Sequence, residues 1–437
     1  MTSRIELKKY QEENLLLKKQ IEERTGKRAE HLYTERAKRV RDVIELREPD
    51  RVPFSFFVES HTYCGIPKSA AYYDPITFKR AMRQIAVDLE PDMCECGLPG
   101  SGAAMTELGV KNIVWPGGPK PPDFEYQFIE GEYMKADEYD MFLNDPSGFM
   151  ICRYLPRIYE ALEPLSKLPP LDSMFLGFQY LTPMFATPEF LKMARHLAKA
   201  GKQVEKFQKT LGDTYEDLAQ LGFPPFARLL PGSIGGAPFD VISGFLRGMK
   251  GSMLDMFRQP DKLLEACDAI QKRRIAHAIP ADTTDRDYPQ RVGMPLWRGD
   301  PVFMSEAQFK KFYWPGLKKA LQVHVDLGYV PVPFFEAPFG DRLECLLELP
   351  KGKILPAIDS RDAVRAKEIL GGHFGLLVYC PNTFKLWSLN QVESFVRDLI
   401  DRCGKNGGLI ITFRIPDKAE TEDIQAMMQS LQEYGRY

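Results

Sequence analysis

The stretch Val330-Pro-Val-Pro-Phe-Phe-Glu-Ala-Pro-Phe-Gly-Asp-Arg342 predicts a buried strand that ends at a carboxylate. Apolar residues run from Val330 to Phe335 almost without interruption, which is typical of a strand covered on both faces in a parallel sheet. Glu336 follows directly, where such a strand passes into its loop, and in parallel α/β folds ligands bind at that point. Glu336 is therefore the first candidate functional residue. The alternative is a structural role, either capping the next helix or pairing with Arg342.

Seven further apolar stretches have the character of buried strands. They are Val52 to Val58, Asp92 to Cys96, Phe226 to Leu230, Val292 to Trp297, Ile354 to Ile358, Leu376 to Cys380 and Leu409 to Phe413. Amphipathic segments with apolar residues at helical spacing separate several of them, namely Asp261 to Ile279, Ser305 to Leu327, Arg361 to Leu370 and Leu389 to Cys403. Strand and helix alternating eight times predict an α/β fold of the (β/α)8 TIM barrel type.

Two segments do not belong to this alternation. Residues 1–48 are rich in Glu, Lys, Arg and Leu, which predicts a helical arm that packs on its own barrel or on a second subunit. The barrel then occupies residues 49–437. The interval between the second and third strands is far longer than one helix needs, and it contains the Pro/Gly-rich loop after Trp115. A loop of that length is usually functional, so we expect a long insertion over the barrel mouth.

Composition restricts the class of partner. The 437 residues carry a formal charge of -2, so the surface offers no global attraction for nucleic acid. No apolar run approaches the length of a membrane span and the N-terminus lacks a signal-peptide pattern, which predicts a soluble, cytoplasmic protein. Eight cysteines spread thinly over such a chain are expected to be free thiols. The arm favours a homo-oligomer.

The predicted strand ends converge at the mouth and supply the candidate catalytic residues. Glu59 and His61 follow the first strand, and Glu336 follows the fifth. Glu336, His61 and Cys96 include the nitrogen, sulfur and oxygen donors that a zinc ion uses. Scattered core thiols and a surface histidine are the alternative, because ligands on separate strands cannot be tested by spacing. Strand alternation allows either Glu95 or its flanking cysteines to face inward.

A second group of strand-end residues suits substrate binding. Trp297 and Phe335 are expected to line an apolar pocket, whereas Arg298 or Arg414 could bind a substrate carboxylate. Tyr379 and Asn382, at the end of the seventh strand, complete the candidate set. These side chains suit a small and partly apolar substrate.

Four motifs resemble the uroporphyrinogen decarboxylase superfamily. They are Pro49-Asp-Arg-Val-Pro-Phe, Pro238-Phe-Asp-Val-Ile-Ser-Gly-Phe-Leu-Arg-Gly, Phe303-Met-Ser-Glu-Ala-Gln-Phe-Lys-Lys-Phe-Tyr-Trp-Pro315 and Gly328-Tyr-Val-Pro-Val. The resemblance covers about residues 49 to 437 and implies a (β/α)8 barrel. The superfamily contains decarboxylases and cobalamin-dependent methyltransferases that exchange methyl groups with a corrinoid protein.

The chain departs from both of these branches. Where the decarboxylases carry an Arg-rich segment, Phe57 to Gly65 contains Glu59 and no Arg, and a carboxylate there repels a polycarboxylate substrate. Where the thiol-directed methyltransferases hold zinc through His-x-Cys, this chain has Phe335-Glu336-Ala337. The resemblance therefore implies a substrate-side methyltransferase, or demethylase, of the larger branch.

Such an enzyme moves a methyl group between a small, possibly methoxylated substrate and a corrinoid. The chain lacks the cobalamin-binding Asp-x-His-x-x-Gly motif, so the corrinoid is expected on a partner protein or as free cofactor. Glu336 would act as general acid or as ligand to a zinc ion, with His61 and Glu59 beside it. Two alternatives stay open, a decarboxylase or lyase with converging arginines at the mouth, and a noncatalytic binding subunit with Glu336 in a structural salt bridge.

Overall fold

The computed structural model is a mixed α/β fold that describes residues 4–57, 63–95, 100–169, 177–228, 234–380, 382–415 and 419–437. Its central feature is a six-stranded sheet of order β1-β8-β7-β6-β5-β4, in which every neighbouring pair is parallel. The strands are β1 Phe54–Phe57, β4 Arg291–Leu296, β5 Val330–Phe335, β6 Ala357–Asp359, β7 Leu376–Tyr379 and β8 Leu409–Arg414, while β2 Ile113–Val114 and β3 Gln127–Phe128 form a separate antiparallel hairpin.

Among the described residues, the predicted second and third strands form single bridges. Cys94 pairs with Pro225, and Arg228 pairs with Val292 at the start of β4. Pro224 and Pro225 have no N–H to donate, which prevents a continuous ladder at this place. The described chain therefore contains six regular sheet strands and two bridged segments in place of the eight strands that the sequence predicts.

Eleven of the described α-helices have eight residues or more. They are α1 Arg4–Thr25, α2 Ala29–Ile44, α3 Pro75–Leu89, α4 Phe178–Phe185, α5 Pro188–Leu211, α6 Gly248–Arg258, α7 Pro260–Ala276, α8 Trp314–Asp326, α9 Ala363–Leu370, α10 Leu389–Cys403 and α11 Thr421–Tyr434. Shorter α-helical turns span Ala70–Tyr73, Gly102–Leu108, Tyr139–Asn144, Pro146–Phe149, Leu155–Ile158, Thr214–Ala219, Pro238–Val241 and Glu306–Gln308. Turns of 3-10 or π type span Ala136–Glu138, Met150–Tyr154, Glu160–Lys167, Ile242–Leu246, Phe309–Tyr313, Gly340–Glu348, Ser360–Asp362 and Asn382–Leu386.

Strand alternation divides the sheet residues between two cores. The inner core joins side chains of the sheet to one face of α2, and its members are Val40, Val43, Ile44, Met93, Phe226, Val330, Val332, Leu355, Ala357, Leu377 and Ile410. The alternate residues, such as Phe335, Ile358 and Val378, pack in the larger core among the surrounding helices. Because α2 covers the end of the sheet where the strands begin, the opposite edge is the one available for a site.

The arm packs on its own chain. Tyr10 donates a hydrogen bond to Asp217 at 2.8 Å, and Arg80 contacts Glu13 at 2.7 Å. At the other end of the arm, Arg39 reaches the fully buried Asp92. The arm therefore contacts its own chain, and packing on a second subunit stays a prediction.

The long insertion packs against the carboxyl end of β4. Phe128 of the hairpin meets Phe245 at 5.1 Å between ring centroids, and Glu130 forms an ion pair with Arg298. The backbone N–H of Met134 donates to the carbonyl of Leu246 at 2.7 Å. The insertion is thus fixed beside the strand end that carries Trp297 and Arg298.

Candidate active site

Glu336 lies on the inner face of the sheet, because it continues the alternating series of β5 side chains that point to that face. Val330 and Val332 belong to the inner core, and Phe334 packs against it. Phe335 points the opposite way, is 2% exposed and packs on Phe339 at 4.5 Å between ring centroids. The prediction that Phe335 lines a pocket at the mouth does not fit this placement, because successive side chains of a strand alternate between its faces.

The Glu336 carboxylate has no hydrogen-bond or ion-pair partner within the described ranges, whereas its backbone N–H donates to the carbonyl of Leu296 at 3.0 Å. The side chain reaches solvent, yet the surrounding protein raises the pKa of its carboxyl through desolvation, against a smaller opposing effect of Arg298. The structural roles considered for Glu336 are not observed. Arg342 instead pairs with Glu306 at 3.1 Å.

Aromatic rings line the inner side of the sheet next to Glu336. Tyr379, at the end of β7, stacks on Phe334 at 4.6 Å between centroids. Its hydroxyl donates to the carbonyl of Phe335, and burial together with the charges of Asp359 and Glu336 raises the pKa of Tyr379. Tyr379 therefore stays a neutral phenol, and its ring provides an apolar wall beside a carboxyl group.

The predicted binding residues that follow β4 lie beside the insertion. Trp297 is half-buried and meets Phe245 edge to face at 5.9 Å, so Phe128, Phe245 and Trp297 form a row of rings. Arg298 is 8% exposed, pairs with Glu130, and lies 4.7 Å over the ring of Phe303. The insertion thus contacts Arg298 directly through Glu130 and reaches Trp297 through the ring of Phe245.

Glu95 is a further inward carboxyl near the mouth. Cys94 packs toward the arm helices and Met93 lies in the inner core, so alternation directs Glu95 inward. Its Oε2 atom is buried and has no hydrogen-bond partner. Burial raises the pKa of Glu95 to about 7, although the nearby Arg414 opposes this shift.

Arg414 and Asn382 lie together, as their assignment to one site requires. Arg414 ends β8 and donates from Nε to Oδ1 of Asn382 at 2.8 Å. The charge of Arg414 also acts on Glu95. The described mouth therefore has a Glu336 side, near Arg298 and Tyr379, and a Glu95 side, near Arg414 and Asn382.

Three predicted residues, Glu59, His61 and Cys96, lie outside the described residues. Within the parts of the chain that are described, no group of three or more His, Cys, Asp or Glu side chains is arranged to hold a metal ion. The seven cysteines in those parts are free thiols. Zinc binding by Glu336, His61 and Cys96 stays a prediction.

The arginines that a decarboxylase-like mouth requires have separate partners. Arg342 is 8% exposed and donates to the carbonyls of Gly299 and Met304 at 2.7 and 2.6 Å. Arg298 pairs with Glu130, and Arg414 contacts Asn382. Arg342 therefore has a structural role, because it binds the loop that follows β4.

Two residues of this site had no role assigned to them in the sequence prediction. Phe334 faces inward in place of Phe335, and burial raises the pKa of Glu95 to about 7. The alternation of core residues along β5 contains a signal for Phe334, because Val330 and Val332 share its face. The sequence alone does not show that Glu95, rather than its flanking cysteines, points inward. That direction follows from the packing of Cys94 against the arm.

Comparison with known proteins identifies a fold likeness. No protein-family profile and no curated protein matches the chain. A solved structure of a methyltransferase from Methanosarcina mazei is similar, with a TM-score of 0.52 and 14% identity, over 91% of this chain and 98% of that one. At this identity the likeness shows a shared fold. No helix in the described ranges is both long and apolar enough to cross a bilayer.

Proposed function

We propose that the chain is a methyltransferase that moves a methyl group between a small, partly apolar, methoxylated substrate and a corrinoid. The observation that carries the proposal is Glu336, an inward carboxyl at the sheet edge whose pKa is raised and whose carboxylate has no described partner. The fold likeness to a methyltransferase supports the same class of reaction. We also propose that the two bridged segments complete a (β/α)8 barrel around this edge.

Glu336 would supply the proton that demethylation of an ether requires. An alkoxide or phenoxide leaves more readily when its oxygen is protonated, and a carboxyl whose pKa lies above the ordinary value keeps its proton nearer to neutral pH. Phe334 and Tyr379 offer ring faces for an apolar or aromatic substrate. Trp297 would close the pocket on the side of the hairpin.

A corrinoid would supply the cobalt nucleophile that accepts the methyl group, and we expect it on another chain or as free cofactor. The residues predicted for zinc cannot be tested together, because Glu336 is the one among them that is described. The proposal therefore gives Glu336 the role of acid and assigns no step to a metal. His61 and Glu59 remain predicted neighbours, and a cytoplasmic homo-oligomer remains the predicted setting.

The two alternatives are less well supported by the described residues. A noncatalytic subunit would have Glu336 in a structural salt bridge, and the Glu336 carboxylate has no such partner there. A decarboxylase or lyase acting on a smaller substrate requires converging cations at the mouth, whereas Arg342 is held by Glu306 and two carbonyls. The methyl-transfer reaction makes better use of a solvent-reachable carboxyl whose pKa is raised.

The test is single-turnover spectroscopy of free cob(I)alamin mixed with the purified protein and a panel of methoxylated benzoates. The protein should accelerate methylation of the cobalt with at least one donor. Glu336→Gln keeps the shape of the side chain but removes the proton donor, so the rate should fall by about 10²–10⁴-fold. Zinc analysis of the same samples then tests the metal prediction.

Glu344→Gln is the matched control, because Glu344 is exposed and lies shortly after Glu336 in the chain. This variant should retain the wild-type rate. The proposal is wrong if Glu336→Gln methylates cobalt as fast as wild type. It is equally wrong if no donor in the panel gives a protein-dependent rate.

A further inference from the structure

A cavity of about 370 Å³ lies at the opposite end of the sheet from Glu336. Arg41 of α2, Arg291 at the start of β4 and Lys353 in the loop before β6 contribute to its lining, together with the rings of Tyr288 and Tyr329. These residues come from elements that meet where the strands begin. The cavity is therefore separate from the proposed substrate site.

The acidic side chains of the cavity are already paired with groups other than these three cations. Asp287 accepts from Arg228 at 2.7 Å and from the hydroxyl of Tyr33. Glu45 forms its ion pair with Arg47. One further cation of the lining, Arg286, is also paired, with Glu216 at 2.7 Å.

Arg41, Arg291 and Lys353 have no carboxylate within salt-bridge distance in the described ranges. Arg41 makes a long hydrogen bond of 3.4 Å to the carbonyl of Tyr288. Lys353 is exposed, and no described residue accepts a hydrogen bond from its ammonium group. Three positive charges therefore line one cavity with no carboxylate of the described residues in direct contact with them.

Arg291 is held by backbone carbonyls and has no carboxylate in contact with it. Its guanidinium donates to the carbonyl of Phe226 at 2.7 Å and to that of Pro225, which uses Nε and one Nη. Burial lowers the pKa of Arg291 to about 10, and the charges of Arg41 and Arg228 act in the same direction against Asp287. A cation held in this way gains from a bound anion, because the anion replaces the missing countercharge.

We infer that this cavity binds a phosphate group, held by Arg41, Arg291 and Lys353 at the end of the sheet remote from the mouth. A doubly charged anion matches the excess of positive charge, and guanidinium groups donate paired hydrogen bonds to phosphate oxygens. The volume accommodates a small phosphate monoester as well as free phosphate, and the two tyrosine rings offer a wall for the organic part. The inference does not depend on the proposed methyl transfer.

The test is isothermal titration calorimetry of the full chain with inorganic phosphate and, separately, with ribose 5-phosphate, against sodium chloride at matched ionic strength. Arg41→Gln and Lys353→Gln should each weaken binding by about fivefold or more, the effect of losing one charged contact that is partly exposed to solvent. Lys351→Gln is the matched control, since Lys351 is exposed and near in sequence but outside the cavity lining. This control should bind as wild type does.

Binding of both probes with the same sensitivity to the variants supports a phosphate-group site with free phosphate as a sufficient ligand. Binding of ribose 5-phosphate alone supports a site for a phosphorylated metabolite. The inference is overturned if neither probe binds more tightly than chloride does, or if Lys353→Gln and Lys351→Gln lose affinity equally. Thermal unfolding of each variant without ligand separates lost binding from lost folding.

Discussion

Carboxyl groups at the two ends of the sheet have opposite surroundings. At the end where the strands begin, Asp92 is fully buried and contacts Arg39 at 2.5 Å and Arg51 at 2.7 Å, and it accepts the N–H of Phe54 at 2.8 Å. At the mouth, Glu95 has a buried oxygen with no hydrogen-bond partner, and Glu336 has no partner in the described chain. A carboxylate surrounded by donors stabilises a fold, whereas one without donors is available to a ligand.

The same contrast is present in the pKa values of these carboxyl groups. The two arginines lower the pKa of Asp92 in spite of its burial, so it is charged at neutral pH. Desolvation raises the pKa of both Glu95 and Glu336. The lesson is that strand beginnings supply stability in this molecule and strand ends retain unsatisfied chemistry. The cationic cavity beside Arg291 is the exception at the beginning of the strands.

The largest loss of stability is expected for Asp92→Asn. The substitution leaves Arg39 and Arg51 buried with no countercharge from this side chain, which costs about 3–5 kcal/mol of the free energy of unfolding. Urea denaturation followed by circular dichroism measures the loss. Asp50→Asn is the control, because Asp50 also pairs with Arg39 but its side chain is 67% exposed, so its loss should cost less than about 1 kcal/mol. Equal losses in both variants would contradict the asymmetry.

The pH dependence of stability sharpens the same comparison. A carboxyl whose pKa is lowered on folding stabilises the protein above its unfolded pKa, and this contribution disappears as pH falls. For Asp92 the loss should begin below about pH 4. Wild type should therefore lose more stability than Asp92→Asn between about pH 4 and pH 2, measured as the difference in urea midpoint. Parallel pH profiles would show that Asp92 has no special role.

Glu95→Gln tests whether stability at the mouth has the opposite pH dependence. Because folding raises the pKa of Glu95 to about 7, its protonated form is favoured, and wild type loses stability as pH rises from about 4.5 through 7. The neutral amide avoids this penalty, so the variant should gain about 3 kcal/mol relative to wild type at pH 8 compared with pH 4. Glu189→Gln, an exposed substitution on α5, should show no such gain. A pH-independent difference for Glu95→Gln would refute the assignment.

The smallest expected effect concerns the contact between the insertion and the mouth. Phe128→Ala removes the edge-to-face contact with Phe245 and should lower the local stability of the hairpin by about 1 kcal/mol. Limited proteolysis should then cut residues 113–138 about fivefold faster. Ile129→Ala, at the neighbouring position that is 42% exposed, is the control and should cut at the wild-type rate. Unchanged cleavage of Phe128→Ala would show that the ring contact does not hold the hairpin.

The sequence predicted some elements closely and others poorly, for identifiable reasons. The predicted strand from Val330 to Phe335 and the predicted helix from Leu389 to Cys403 match the observed β5 and α10 residue for residue. Continuous apolar character specifies the first, and the Ser388 capping box together with helical spacing specifies the second. Segments 92–96 and 226–230 have similar apolar character in the sequence. Their described residues, 92–95 and 226–228, nevertheless pair through single bridges, because prolines interrupt the ladder between them.

The sequence by itself determined that Glu336 stands at the end of a buried parallel strand, since apolar continuity and the position of the first carboxylate are local properties. Only the tertiary structure decided which face each strand-end residue takes. Phe335 and Cys94 went into helix-facing cores, which left Phe334 and Glu95 inward. It also decided that Arg342 is bound to loop carbonyls and that Arg41, Arg291 and Lys353 share a cavity. The physical reason is that facing and pairing depend on which distant segments pack together, and no local pattern contains that information.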